Sequence, residues 1–132
     1  MDRLNVKTNF EGYEIDVEFT DGVNFLTSKA GKGKSLLLKA LQQYCFLNRI
    51  KSLYLDWSVV HFSVDQIIKN CEGKEVVLLD SADLYLTDEL LERLRELTDT
   101  VVIIEMKDMN KVDVENTTLC FLQCKDNILT LK

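Results

Sequence analysis

Apolar and polar positions alternate at the start of the chain and give way to longer apolar runs further on. Leu4–Asn9 and Tyr13–Phe19 are alternating or β-rich runs separated by the turn signal Glu11-Gly12, and Asp21-Gly22 introduces a third run, Val23–Thr27. From Lys34 to about Asn48, Leu36, Leu37, Ala40, Leu41, Tyr44 and Leu47 recur at a spacing that covers a broad helix face. Ser52–Asp56 (SLYLD) is a short β-type run. Ser63 with Gln66 three residues later has the form of a capping box and predicts a short helix to about Asn70, which Glu72-Gly73-Lys74 breaks. Glu75–Asp80 (EVVLLD) is a near-continuous apolar run ending in an acid, the pattern of a strand buried on both faces. Thr87, Asp88 and Glu89 open another helix, with Leu90, Leu91, Leu94 and Leu97 as its buried stripe and Glu92, Arg93, Arg95 and Glu96 toward water. Thr100–Glu105 (TVVIIE) is a second buried-type strand. Thr117–Gln123 and Ile128–Leu131, around Asp126-Asn127, form a closing hairpin.

Strands and helices therefore alternate from Val23 to Glu105. The expectation is an α/β fold: a mainly parallel central sheet flanked by helices, in three layers, with antiparallel strands at the N- and C-terminal ends. The 132 residues suit one domain over 1–132 and are too few for two. With no proline and five glycines, the sequence predicts no long linker, and it contains no internal repeat.

Composition narrows the partners. A formal net charge of −6 argues against broad electrostatic binding to nucleic acid or anionic lipid. No apolar run approaches a membrane span, and MDRLNVKTNF has neither a signal-peptide core nor a cleavage site, so a cytoplasmic location is expected. Cys45, Cys71, Cys120 and Cys124 form no CxxC pair and His61 stands alone, so zinc-site spacing is absent and four reduced thiols are expected. Cys120 and Cys124 share one side of a strand, where small apolar packing is the expected role.

One segment carries chemistry. Ser28, Lys29, Ala30, Gly31, Lys32, Gly33, Lys34 and Ser35 fit GxxxxGK[ST] at every defined position but the first, where Ser28 replaces glycine. A strand delivers the chain to a loop whose glycines let backbone N–H groups converge on a phosphate, and the following helix, through Leu36, adds its N-terminal dipole. Lys34 is then expected to bridge the β- and γ-phosphates, and the Ser35 hydroxyl to hold Mg²⁺. The bland alternative is a lysine-rich surface loop capping a helix. Asp80, ending a strand expected beside the phosphate-loop strand, is the candidate to accept from a Mg²⁺-bound water.

With these residues in view, the chain resembles the P-loop NTPases of the class that includes ABC and AAA+ ATPases. DGVNFLTSKAGKGKSLLLKAL looks like the opening of an ABC-type nucleotide-binding domain with its Walker A loop. SLYLD, EVVLLDSADL and TVVIIE look as much like a DnaA-type AAA+ core, with Asp80 ending the Walker B strand. The resemblance implies binding of ATP, or GTP, with Mg²⁺. Where both families commonly place a water-orienting acid after the Walker B aspartate, this chain has Ser81, and a hydroxyl is a poor base at neutral pH.

Asp83 and Asp56 are the candidates to replace that acid, against the plainer role of solvated loop carboxylates. Lys107 is a candidate to approach a γ-phosphate, or a surface lysine. Arg93 and Arg95 are candidate fingers in trans, or a solvated helix face. Trp57 and His61 fall in a loop after SLYLD, with stacking on a base or partner weighed against partial burial of the tryptophan. No LSGGQ-like segment fits between Ser35 and Asp80, and no lid follows Glu105. The expected function is Mg·ATP binding with weak or no hydrolysis, the nucleotide serving as structural ligand or switch. The alternatives are an acidic protein-interaction module on a degenerate P-loop fold, and a minimal ATPase completed by a partner or by self-association.

Overall fold

A computed structural model describes residues 1–27, 33–108 and 117–132. The chain begins with the hairpin β1 (Arg3–Phe10) and β2 (Tyr13–Thr20), joined by Glu11 and Gly12. Both turn residues have positive φ, 48° and 84°, as a two-residue turn matched to strand twist requires. The alternation is strict: Leu4, Val6, Ile15, Val17 and Phe19 are buried. β3 (Gly22–Thr27) follows after a single residue, and α1 spans Lys34–Leu47.

Next come β4 (Ser52–Leu55), a 3-10 helix over Trp57–His61 and α2 (Val64–Cys71). The Ser63–Gln66 capping box forms in full. β5 (Val76–Leu79), a 3-10 turn at Ala82–Leu84, α3 (Asp88–Arg95) and β6 (Val101–Glu105) complete the alternating part. The Thr87 hydroxyl caps α3 by accepting from Leu90 N. The chain closes with the hairpin β7 (Thr118–Lys125) and β8 (Ile128–Leu131).

The eight strands among the described residues join one mixed sheet in the order β1-β2-β8-β7-β3-β6-β5-β4. β7, β3, β6, β5 and β4 are mutually parallel neighbours. Antiparallel pairing is confined to the two hairpins, as expected, but their place in the sheet differs from a simple capping of each end. β8 pairs parallel with β2, so the C-terminal hairpin is inserted between the N-terminal hairpin and β3. β2 and β3 diverge at Asp21, and the C-terminal hairpin fills the opening. Sequence pattern specifies which face of a strand is buried, not which edge it joins.

Asn24 pins that corner. It is fully buried, and its Nδ2 donates to the carbonyls of Thr20 (2.9 Å), Gly22 (3.1 Å) and Val102 (3.1 Å) while Oδ1 accepts from Thr20 N (3.3 Å).

The core has two parts, one on each face of the parallel strands. On one face α1 packs Leu37, Leu38, Ala40, Leu41 and Cys45 against the sheet. α1 touches both β1 and β4, the two ends of the strand order, so the sheet curls around this helix; Tyr44 Oη donates to Asn5 O at 3.4 Å across the closure. On the other face α2 and α3 bury Ile67, Ile68, Leu90, Leu91 and Leu94 against Val77, Leu79, Val102 and Ile104. β5 and β6 are consequently buried on both faces, which explains their unbroken apolar runs.

Two local expectations are corrected. Trp57 lies in a 3-10 helix rather than a loop and is 62% exposed, because its helix stands beyond the end of β4 with Val59 as the buried anchor. Cys124 is exposed although Cys120, four residues earlier, is buried: β7 leaves the core at its end and carries Cys124 into the hairpin. Among the described residues, no helix is long and apolar enough to cross a membrane.

Candidate functional site

The parallel strands end at one edge of the sheet, and their register decides what meets there. Leu55 pairs with Leu79, Leu79 with Ile104, and Leu26 with Glu105. The next residues of β4, β5 and β6 are Asp56, Asp80 and Glu105, so three carboxylates stand in a row at the carboxyl edge, where open α/β sheets take ligands. β6 lies between β3 and β5, so the strand ending in Asp80 is not beside β3 as the sequence suggested. The acid adjacent to β3 is Glu105.

Lys34 reaches this edge from the first turn of α1. Gly33 caps the helix with φ of 87°, a left-handed conformation that its missing Cβ permits. Leu122 Cδ2 and Leu129 Cδ2 stand 3.4 and 3.5 Å from where a Cβ would be. The Lys34 side chain turns inward: Nζ lies 3.7 Å from Glu105 Oε2 and donates to Met106 O at 3.3 Å. Both charged side chains are almost wholly shielded from solvent, and Glu105 Oε2 accepts no hydrogen bond among the described residues. Burial raises the Glu105 carboxyl above the ordinary range; Lys34 pulls it down and nearby Asp80 pushes it up again.

Asp80 is held by its neighbours. The Tyr54 hydroxyl donates to Oδ2, and Ser81 Oγ donates to Oδ1 at 3.3 Å. Burial first, and then Asp80, raises the Tyr54 phenol. Ser81 has φ of 52°, so the chain turns sharply after Asp80. Tyr85 Oη spans that turn, donating to Asp80 O (2.8 Å) and Leu55 O (3.2 Å).

The other expected residues separate clearly. Ser28, Lys29, Ala30, Gly31 and Lys32 lie outside the described residues. Ser35 is exposed on the first turn of α1, and Leu36 packs partly buried against the core. Asp56 is a cap: its Oδ1 accepts from Ser58 N (3.0 Å) and Ser58 Oγ (2.6 Å). Asp83 accepts from the backbone N–H groups of Lys107 and Asp108, each at 2.9 Å, and so ties the turn after β5 to the segment after β6. Lys107 is exposed. Arg93 pairs with Asp65 at 2.6 Å and Arg95 with Glu92 at 2.9 Å, so both guanidinium groups have partners within the chain.

Glu105 and Tyr54 were not singled out from the sequence. The signal for Glu105 was present, since TVVIIE ends a buried run in an acid just as EVVLLD does. Tyr54 gave none, because a tyrosine in a short strand reads as packing.

The same edge carries apolar surface. Trp57, Val60, Phe62 and Leu84 are all exposed, and a groove of about 310 Å³ opens among Val60, Phe62, Val64, Ile67, Leu84 and Leu90. Among the described residues, no three His, Cys, Asp or Glu side chains converge as a metal site. Two carboxylates with an exposed hydroxyl suit Mg²⁺ where waters or phosphate oxygens complete its shell. Compared with known protein families, curated protein sequences and solved structures, the chain matches none.

Proposed function

We propose that the chain is a P-loop nucleotide-binding protein on a three-layer P-loop NTPase-like fold. It binds Mg·ATP with weak or no intrinsic hydrolysis, and the nucleotide acts as a structural ligand or switch. The observation that carries this is the meeting of Lys34 with Glu105, itself beside Asp80, at the carboxyl edge of parallel strands. It is supported by Gly33 in the left-handed conformation at the start of α1, in a GxxxxGK[ST]-like segment. Weak turnover is supported by Ser81 in place of an acid and by the engagement of Asp56 and Asp83 in backbone caps. Ser35 with Asp80 would hold Mg²⁺, the latter through water.

Thermal unfolding with and without Mg·ATP, and with Mg·GTP, tests binding directly. Saturation at 100 times Kd raises stability by about 2.7 kcal/mol, a shift of several degrees for a domain of this size. Lys34→Ala should remove that shift relative to its own unliganded baseline. No shift of the native protein at millimolar nucleotide would sink the proposal.

A second function has its own support. Lys34 is occupied by Glu105 and Met106 rather than free, and Trp57, Val60, Phe62 and Leu84 form an exposed apolar surface beside the site. An acidic interaction module that no longer uses nucleotide would have both features. Absence of a nucleotide shift together with concentration-dependent association would favour it.

A further inference from the structure

Glu105 is an unusual place for a charge. Its side chain is 4% exposed, one oxygen accepts no hydrogen bond, and its cation, Lys34, stands at 3.7 Å, beyond hydrogen-bond reach. Among the described residues, Lys34 itself makes a single 3.3 Å bond, to a carbonyl. On the far side Asp80 follows Leu79, which pairs with Ile104, so the two carboxylates stand on adjacent strands at the same level. Lys34 therefore acts as a loosely held counter-ion for the buried Glu105 and for its half-buried neighbour Asp80.

Removing that ammonium leaves the buried Glu105 carboxylate against the half-buried Asp80 carboxylate without its counter-ion. Such a pair must either share a proton or take another cation. We propose that Asp80 and Glu105 are a two-carboxylate seat for a divalent cation, filled by the Lys34 ammonium at rest and opened when Lys34 moves to an anionic ligand. Charge is exchanged in one step: the anion takes Lys34, and the metal replaces Lys34 between the acids. The cation seat stands on its own geometry, whereas the identity of the anion as a nucleoside triphosphate rests on the proposed function.

The test separates the two. Mn²⁺ binding is followed at pH 8 by the electron paramagnetic resonance of the free ion, with no nucleotide, in the native protein, Lys34→Met, Lys34→Gln and Lys34→Met/Glu105→Gln. Loss of one positive charge beside the seat should tighten Mn²⁺ binding at least about tenfold in Lys34→Met, and removal of Glu105 should abolish the gain. Lys34→Gln serves the same purpose if Lys34→Met does not fold, as judged by circular dichroism. ATP binding is measured alongside, with Mg²⁺ and with EDTA. The Mg²⁺ preference of the native protein should shrink several-fold in Glu105→Gln, which no longer restrains Lys34.

If ATP binds no variant while Lys34→Met takes up Mn²⁺, the seat stands and the nucleotide is excluded. If ATP binds but Lys34→Met holds Mn²⁺ no better than the native protein, the acids share a proton instead and the seat is overturned. Equal Mn²⁺ binding with and without Glu105 overturns it as well.

Discussion

Nζ of Lys34 lies 3.7 Å from Oε2 of Glu105, with 5% and 4% of the two side chains exposed. A pair this buried and this loose contributes little net stability, because desolvation offsets the attraction, yet breaking one side strands the other. Lys34→Met should lower unfolding stability by about 3 kcal/mol, less if Glu105 takes up a proton. Lys34→Met/Glu105→Gln should recover most of it. Urea denaturation of the four proteins of this cycle checks the claim, and a double variant less stable than Lys34→Met would refute it.

Asn24 makes a sharper prediction. Its amide satisfies three carbonyls and one N–H at the point where β2 and β3 part, the bond to Val102 O buried and those to Thr20 and Gly22 partly exposed. Asn24→Leu keeps the branched shape and removes every one of these bonds. The expected loss is about 1–3 kcal/mol, that of stranding the buried Val102 carbonyl, with little added by the Thr20 and Gly22 groups that water reaches. Asn24→Asp should fare no better, since it removes both donors and adds a buried charge. A chemical denaturation midpoint near that of the native protein in either variant would show that the corner is held by something else.

Tyr54→Phe deletes the hydroxyl that donates to Asp80 and leaves the ring in place. A hydrogen bond to a charged acceptor contributes about 1.5–3 kcal/mol, and Tyr54 is only half-buried, so the lower end applies. The substitution also frees Oδ2 of Asp80. If Asp80 belongs to a cation seat, Tyr54→Phe should raise Mn²⁺ affinity in the Lys34→Met background while lowering stability; a fall in both would assign Tyr54 to the metal shell instead.

These three predictions rest on residues of very different visibility. The elements were legible because each carried a local signature: alternation in β1 and β2, the Ser63–Gln66 box before α2, and the Thr87 cap before α3. Lys34 drew notice because it stands at the lysine position of a GxxxxGK[ST]-like pattern, and its side chain lies beside Glu105. What sequence could not supply was lateral order. Nothing local in VVLL or VVIIE says which lies beside β3, since both are buried on both faces and either fits there. The candidate site followed the same division: Asp80 was singled out from its own run, but its place beside Glu105 and Tyr54 depends on strand register. Asn24 went unread for a related reason, as a polar residue in a strand reads as solvent-facing unless the partner carbonyls are known.

The thiols offer a test that needs no ligand. Cys45, Cys71 and Cys120 are buried, and burial pushes each thiol up to about 11, whereas Cys124 is exposed. At pH 8 a disulfide reagent attacks thiolate, so one equivalent, Cys124, should react fast and three slowly; Cys124→Ser should abolish the fast phase. The same shifts fix a pH dependence. In the unfolded chain these thiols ionise near the ordinary value of about 8.5, while in the folded protein they resist until about 11. The folded state thus holds the extra protons, its advantage is complete below pH 8.5, and it is lost as pH rises through 11. The Tyr54 and Tyr85 phenols, raised chiefly by burial and then by Asp80, act in the same direction. Urea midpoints should fall between pH 8.5 and 10.5. A flat profile, or two fast thiols at pH 8, would mean that α1, α2 or β7 opens far more readily than its packing implies.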